Sequence, residues 1–147
     1  MGTSIINSGT IYFTLALEGY GSHDIYKSQL INGKYATPEK LGPAINSSGD
    51  DWQPFIAPDE SYLIFSRYEG NPKQGTLNLF ISFKDPEGSW TEAVNLGKSI
   101  NEKNAGWPYV SPDGKYFFFV SSRDNNSYFY KVYWVDIKII DVLRPIK

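Results

Sequence analysis

Cysteine is absent from this 147-residue chain. That excludes disulfide frameworks, thiol nucleophiles and cysteine-ligated zinc, so stability must come from packing and backbone pairing. Histidine is scarce as well, His23 being the only one. Positive charge is not in excess: 16 acidic residues against 14 basic ones leave a net charge of −2, with a pI near 5.4. No broad basic field is available to hold a phosphate backbone, which argues against nucleic acid as a partner. No apolar run reaches the length of a membrane span, and Met1-Gly2-Thr3-Ser4-Ile5-Ile6 lacks a basic segment followed by an apolar stretch. As written, the chain reads as soluble and unsecreted, either a cytoplasmic protein or a mature or excised piece whose signal lay upstream. Aromatic residues, by contrast, are plentiful. Four Trp, eleven Tyr and nine Phe make up 16% of the chain, a payload too large for a disordered chain and suited to buried β-sheet.

The dominant internal pattern is a repeat at a spacing of 52 to 55 positions. Leu41-Gly42 and Ile45-Asn46 recur as Leu96-Gly97 and Ile100-Asn101. Pro54-Phe55-Ile56-Ala57-Pro58-Asp59 recurs as Pro108-Tyr109-Val110-Ser111-Pro112-Asp113, and Tyr62-Leu63-Ile64-Phe65 recurs as Tyr116-Phe117-Phe118-Phe119. A third copy precedes both, with Ile11-Tyr12-Phe13 standing for Ile64-Phe65 and its neighbours, and Asp24-Ile25-Tyr26 matching Asn78-Leu79-Phe80. Within a copy the apolar runs are short, aromatic and β-branched, and bounded by turn residues, so they predict strands rather than helices. In copy two these are strand A at 54–57, B at 62–67, C at 77–83 and D at 91–96. Ser111-Pro112-Asp113-Gly114 suits a tight A–B hairpin, with Glu60 replacing the glycine in copy two. Asn32-Gly33 is a strong two-residue hairpin signal between C and D. Copy three is expected to stop after its C strand, because the apolar tail 135–143 does not repeat the strand D pattern.

The recurring Pro-aromatic-Val/Ile-Ser/Ala-Pro-Asp-Gly/Glu-x-Tyr-Leu/Phe-x-Phe core is followed by Ser66-Arg67 in copy two and, in copy one, by Asp24-Ile25-Tyr26. It resembles the WD40-like, TolB-type propeller repeat called PD40, over nearly the whole chain. The resemblance implies an all-β fold: a β-propeller with about three four-stranded blades in this chain, half of a six-bladed ring. Blade 1 then covers about 3–43, blade 2 about 52–98 and blade 3 about 107–147. Copy one lacks the Pro-Asp turn, and copy three has Lys131-Val132-Tyr133 in place of Asp-Ile-Tyr. The resemblance also implies a non-catalytic scaffold for protein or ligand binding. Better-known family members are exported and work in the bacterial envelope.

Three blades do not close a ring, since natural rings use roughly four to eight. Both flanks of a three-blade wedge expose apolar surface, so something must cover them. Two partners are expected as alternatives: a second identical chain, closing head to tail into one six-bladed ring, or a companion half in a longer protein.

Little in the sequence points to catalytic chemistry. His23 stands beside Asp24 without an evident nucleophile, and no nucleophile elbow, zinc-protease or P-loop motif is present. The Ser-x-Asp-x-Gly-x-x-Trp boxes of sialidase-like propellers are also missing, since Ser111-Pro112-Asp113-Gly114-Lys115-Tyr116 fails at the glycine and tryptophan positions. Asp50-Asp51 and Asp124-Asn125-Asn126 lack metal-loop spacing and read as solvated loops. No catalytic residue, metal or cofactor is therefore assigned. The alternative functions are a fragment of a propeller-fold hydrolase, carbohydrate-active or peptidase-associated, and a purely structural half-propeller.

Binding is expected on the face carrying the B–C and D–A loops, where aromatic rings and both signs of charge gather. The candidates there are Tyr20, His23, Asp50, Asp51, Trp52, Arg67, Tyr68, Asn104, Trp107 and Arg123. Trp52 and Trp107 read as equivalent positions just before strand A. They serve either blade packing or contact with a peptide or glycan. Arg67 and Arg123 equally suit pairing with a neighbouring carboxylate. Trp90 and Trp134 read as core.

Overall fold

Runs that alternate aromatic or β-branched residues with smaller ones form strands of two to eight residues, because alternate side chains then reach opposite faces. The structure, a computed structural model, describes residues 2–16, 23–69, 75–122 and 130–145. The first sheet contains β1 (Thr3–Ile5), β2 (Ile11–Ala16), β3 (His23–Ser28) and β6 (Glu39–Lys40), paired antiparallel in that order. Between β3 and β6, β4 (Leu30–Ile31) and β5 (Lys34–Tyr35) form a separate hairpin. Its turn residues Asn32 and Gly33 both have positive φ, 50° and 76°, as the sequence signal requires.

The second sheet follows the same course through β7 (Asp50–Ile56), β8 (Tyr62–Glu69), β9 (Thr76–Phe83) and β10 (Val94–Asn95). The third has only β11 (Ala105–Val110), β12 (Tyr116–Ser121) and β13 (Lys131–Asp136). The antiparallel sheets make a partial β-propeller. Two expectations need correction. The fourth strand, expected over 91–96 in copy two, shrinks to two residues in each of the first two sheets, whereas its absence from the third among the described residues agrees with a copy three that stops after its C strand. The innermost strand of the second sheet begins at Asp50, four residues earlier than expected.

The tail forms a 3-10 helix, Ile137–Leu143, that the sequence pattern does not announce. Asp136 caps it by accepting a hydrogen bond from Lys138 N at 2.9 Å. Its Ile140 is 1% exposed and packs into the core between the second and third sheets. The tail closes that core instead of adding a strand.

Each pair of neighbouring sheets encloses one core. Tyr12, Ile25, Leu41, Ile45, Ile56, Leu63, Phe65 and Phe80 fill the first. Ile64, Leu79, Ile81, Phe83, Leu96, Ile100, Phe117 and Phe119 belong to the second. Strand β8 serves both, sending Leu63 and Phe65 to one side and Ile64 to the other. Burying each such side chain contributes about 1.5–3 kcal/mol. Trp90 packs edge-on to Tyr12 at 6.4 Å beside the first core, as expected. Trp134 is 62% exposed, contrary to expectation, because no sheet lies beyond β13 among the described residues.

Candidate functional site

Two surfaces compete for a functional role: the polar seam where one sheet passes to the next, and the groove along the innermost strands. The seam is built by a repeated asparagine. Asn46 accepts from Ile25 N at 2.8 Å and donates to Ile25 O and Leu41 O. Asn101, 55 residues later, accepts from Leu79 N at 2.8 Å and donates to Leu79 O and Asn95 Oδ1. Each amide thus replaces backbone partners that the third strand lacks as it passes the truncated fourth.

A second repeated clamp joins consecutive sheets. Asp50 Oδ1 accepts from His23 N at 2.8 Å, and Asn104 Oδ1 accepts from Leu77 N at 2.9 Å. Donors and acceptors are both 54 positions apart. Asp50, Asn104 and the backbone of His23 therefore hold the sheets in register. The His23 ring also faces Asp50 at 3.2 Å and stacks on Trp52 at 4.7 Å between centroids. Among the described residues Asp50 is the hydrogen-bond partner shown for His23.

Asp50 and Asp51 are strand residues, not the solvated loop expected from the sequence. Asp51 is fully buried. It accepts from Arg67 Nε at 2.7 Å and from Ser47 N and Oγ at 2.7 and 2.9 Å. Burial raises its carboxyl above the ordinary aspartate range, against the lowering effect of Ser47 and Arg67. Arg67 also donates to Ile45 O at 2.7 Å and lies 4.5 Å over the Phe80 ring. The carboxylate pairing expected of Arg67 is present. Tyr68, half-buried, lines a shallow recess of about 410 Å³ with Ser47, Ser48, Gly49, Arg67 and Glu69. Tyr20 and Arg123 lie outside the described residues.

The expected equivalence of Trp52 and Trp107 fails by one position. Trp52 pairs with Ser66 as Gly106 pairs with Val120, so Gly106 is the counterpart of Trp52 and Trp107 that of Gln53. Both tryptophans lie inside their strands rather than before them. A Cβ on Gly106 would meet Leu77 Cδ2 at 2.8 Å, so a side chain there would require the end of Leu77 to move. Gln53 and Trp107 adopt φ of 52° and 53° at a bulge that interrupts each strand before Pro54 and Pro108. Trp52 is partly buried with its Nε1 unpartnered among the described residues, whereas Trp107 is half exposed.

Gln53 belongs to no motif that the sequence announces. Its backbone N–H donates to Thr14 Oγ1 at 3.1 Å, and its Oε1 accepts from Ser66 Oγ at 2.8 Å and from Trp107 N at 3.1 Å. One side chain therefore bridges the innermost strands β7 and β11. Only its fixed place two residues past Asp51 and one before a repeated proline could have marked it.

Those innermost strands, β1, β7 and β11, line a mostly apolar groove of about 780 Å³. Phe55, Tyr62, Trp107, Pro108, Tyr109 and Pro112 form much of its wall. Trp107 and Tyr109 are each 50% exposed, and Tyr109 meets Phe55 edge-on at 5.9 Å. The described residues contain no group of three metal-ligating side chains.

Fold and groove together define a propeller wedge with an aromatic inner face. Its structural neighbours include TolB from Acinetobacter baumannii, at a TM-score of 0.65 and 22% identity over 93% of this chain. A putative TolB from Agrobacterium tumefaciens matches at a TM-score of 0.63 and 17% identity, also over 93%. The chain spans 30% of the first of these proteins and 46% of the second. No protein-family model matches the chain, and no curated protein matches it in sequence.

Proposed function

We propose that this chain is a non-catalytic propeller scaffold built from PD40-type repeats, and that it binds a peptide, protein or glycan along its inner groove. The observation that carries this reading is the pair Trp107 and Tyr109, half exposed on an apolar wall instead of packed into a core. Large aromatic side chains on a concave surface offer contact area at little entropic cost. The loop-face residues favoured by the sequence contribute less. Asp50, Asp51, Arg67 and Asn104 are engaged in holding sheets and strands together.

The test is binding to peptide and glycan arrays by wild type, the Trp107→Ala/Tyr109→Ala variant and the Trp52→Ala/Tyr68→Ala variant. The groove variant should lose about tenfold or more in affinity while the loop-face variant loses little, since anchoring aromatics carry most of such binding energy. Binding that survives loss of both groove aromatics would remove the reading. Turnover of a chromogenic hydrolase substrate panel would remove its non-catalytic part.

A further inference from the structure

The outer flanks of this wedge repeat, position for position, surfaces that its middle sheet keeps covered. On the second sheet, Ile64 pairs with Ile81 and Ser66 with Leu79, and Ile64, Leu79 and Ile81 are fully buried against the third sheet. The corresponding pairs on the third sheet are Phe118 with Trp134 and Val120 with Val132. There Val132 is 68% exposed and Trp134 62%.

The opposite flank behaves the same way. Ile56, opposite Leu63, is 1% exposed and packs in the core shared with the first sheet. Its counterpart Ile5, opposite Ile11, is 56% exposed. Phe65 stacks on Phe80 at 6.2 Å inside that core, and Phe13 stacks on Tyr26 at 6.5 Å on the open flank. The second and third sheets thus display one interface closed, and the first and third sheets display its two halves open.

We propose that these halves meet across two copies of this chain, the third sheet of each seated on the first sheet of the other. The interface is a continuation of the one already formed twice within the chain, so the partner is a surface of the same chemistry and register. Two copies supply six sheets, within the roughly four to eight that close a propeller ring, whereas one supplies too few and three too many. A two-copy ring also leaves neither flank bare. It would complete the groove lined by β1, β7 and β11 into a channel. The proposal rests on the propeller architecture and not on the ligand reading, and its readout is mass, so either can fail alone.

The experiment is size-exclusion chromatography with light scattering on the full chain at about 10 µM, a concentration at which a stable interface of this kind is populated. Wild type should elute at twice the 16.6 kDa chain mass. Val132→Asp on one flank and Ile5→Lys on the other should each weaken the dimer by about 100-fold or more, because each places an unpaired charge in an apolar contact. Mixing the two variants should restore a dimer, since one of its two interfaces is then wild type at both halves. Recovery on mixing also shows that the variants are folded. A monomeric wild type overturns the proposal, including one that instead captures a separate polypeptide. So do particles larger than two copies, or a dimer that survives Ile5→Lys.

Discussion

The seam between the first and second sheets and the seam between the second and third use the same clamps but surround them with different chemistry. Asn46 and Asn101 make matching bonds to the third strand, as do Asp50 and Asn104 to its start. Around them, the equivalent positions 54 residues apart differ: Trp52 corresponds to Gly106, Asp51 to Ala105, Arg67 to Ser121 and Glu60 to Gly114. Where a side chain completes a hydrogen bond of the third strand's backbone, the repeat tolerates little more than Asp for Asn. The buried ion pair Asp51–Arg67, although it also bonds Ser47 N and Ile45 O, is replaced by alanine and serine in the third sheet. The propeller frame is thus set by a few amide and carboxylate acceptors, and the rest is free to differ.

The largest expected effect comes from making the second sheet like the third at the ion pair. Asp51→Ala alone leaves the Arg67 guanidinium, 13% exposed, without its carboxylate and should cost about 3–5 kcal/mol. Arg67→Ser alone should cost a similar amount. The double variant, which reproduces Ala105 and Ser121, should cost clearly less than the sum, because no charge is then left buried and unpaired. Urea denaturation of the four proteins measures this. Additive costs would mean that the pair is not the unit described.

The next effect tests the shared clamps. Asn46→Ala strands the buried Ile25 N–H and should destabilise by about 2–3 kcal/mol, the cost of an unsatisfied buried donor with lost partners. Asn101→Ala should cost less, since Asn101 is partly accessible and water can take its place. Equal losses at the two sites would contradict the difference in burial.

Much of the frame was legible in the sequence because its signals are local or repeated. Asn32-Gly33 fixes its own hairpin, and the recurrence of Pro54-Phe55-Ile56 as Pro108-Tyr109-Val110 locates the inner strands, though not the bulges that interrupt them. The clamps were visible only as repetition, in Ile45-Asn46 and Ile100-Asn101, without any hint of what they bond. Burial is less legible in the sequence. Asp50-Asp51 looks like solvated loop because two adjacent carboxylates are costly to bury, and only Arg67, His23 and the Ser47 turn, all separate in sequence, offset that cost. Trp134 looks like core because its strand pattern is that of a covered sheet, and exposure depends on a neighbour the pattern does not encode. The one-position offset of Trp52 and Trp107 is hidden in the sequence because both indoles sit beside the same bulge, and only the pairing of Trp52 with Ser66 and of Gly106 with Val120 fixes the register.

A smaller effect separates the two A–B turns. Glu60 holds φ of 62° where Gly114 holds 70°, a conformation that costs a residue with a side chain about 1 kcal/mol. It is kept there because its carboxylate accepts from the buried Tyr12 hydroxyl and pairs with Lys84 Nζ at 2.9 Å. Burial opposes ionisation of Glu60, but the Tyr12 hydrogen bond and Lys84 prevail and hold its carboxyl below the usual 4.5. A lowered carboxyl pKa stabilises the fold above the unfolded value, and that contribution is lost as pH falls through the folded one. Glu60→Gln should therefore flatten the acid limb of the stability profile below about pH 4.5. Glu60→Gly should be destabilising by about 1 kcal/mol, since relief of the backbone only partly offsets a buried hydroxyl left without its acceptor. Thermal unfolding across pH reads both, and an unchanged acid limb in the glutamine variant would detach Glu60 from the pH dependence.

The smallest effect concerns Trp52, whose counterpart Gly106 shows that the seam closes without an indole. Its ring stacks on His23, but its Nε1 is buried without an acceptor among the described residues. Trp52→Phe removes that unsatisfied donor, which favours the variant by about 1 kcal/mol or more, and gives up packing area worth a similar amount. The net change should stay within about 1 kcal/mol of zero, far from the roughly 3–5 kcal/mol that deleting a fully packed tryptophan costs. A loss of that larger size would mean that the indole N–H does find an acceptor, and the difference between the two seams would then lie in a hydrogen bond and not merely in the room around Gly106.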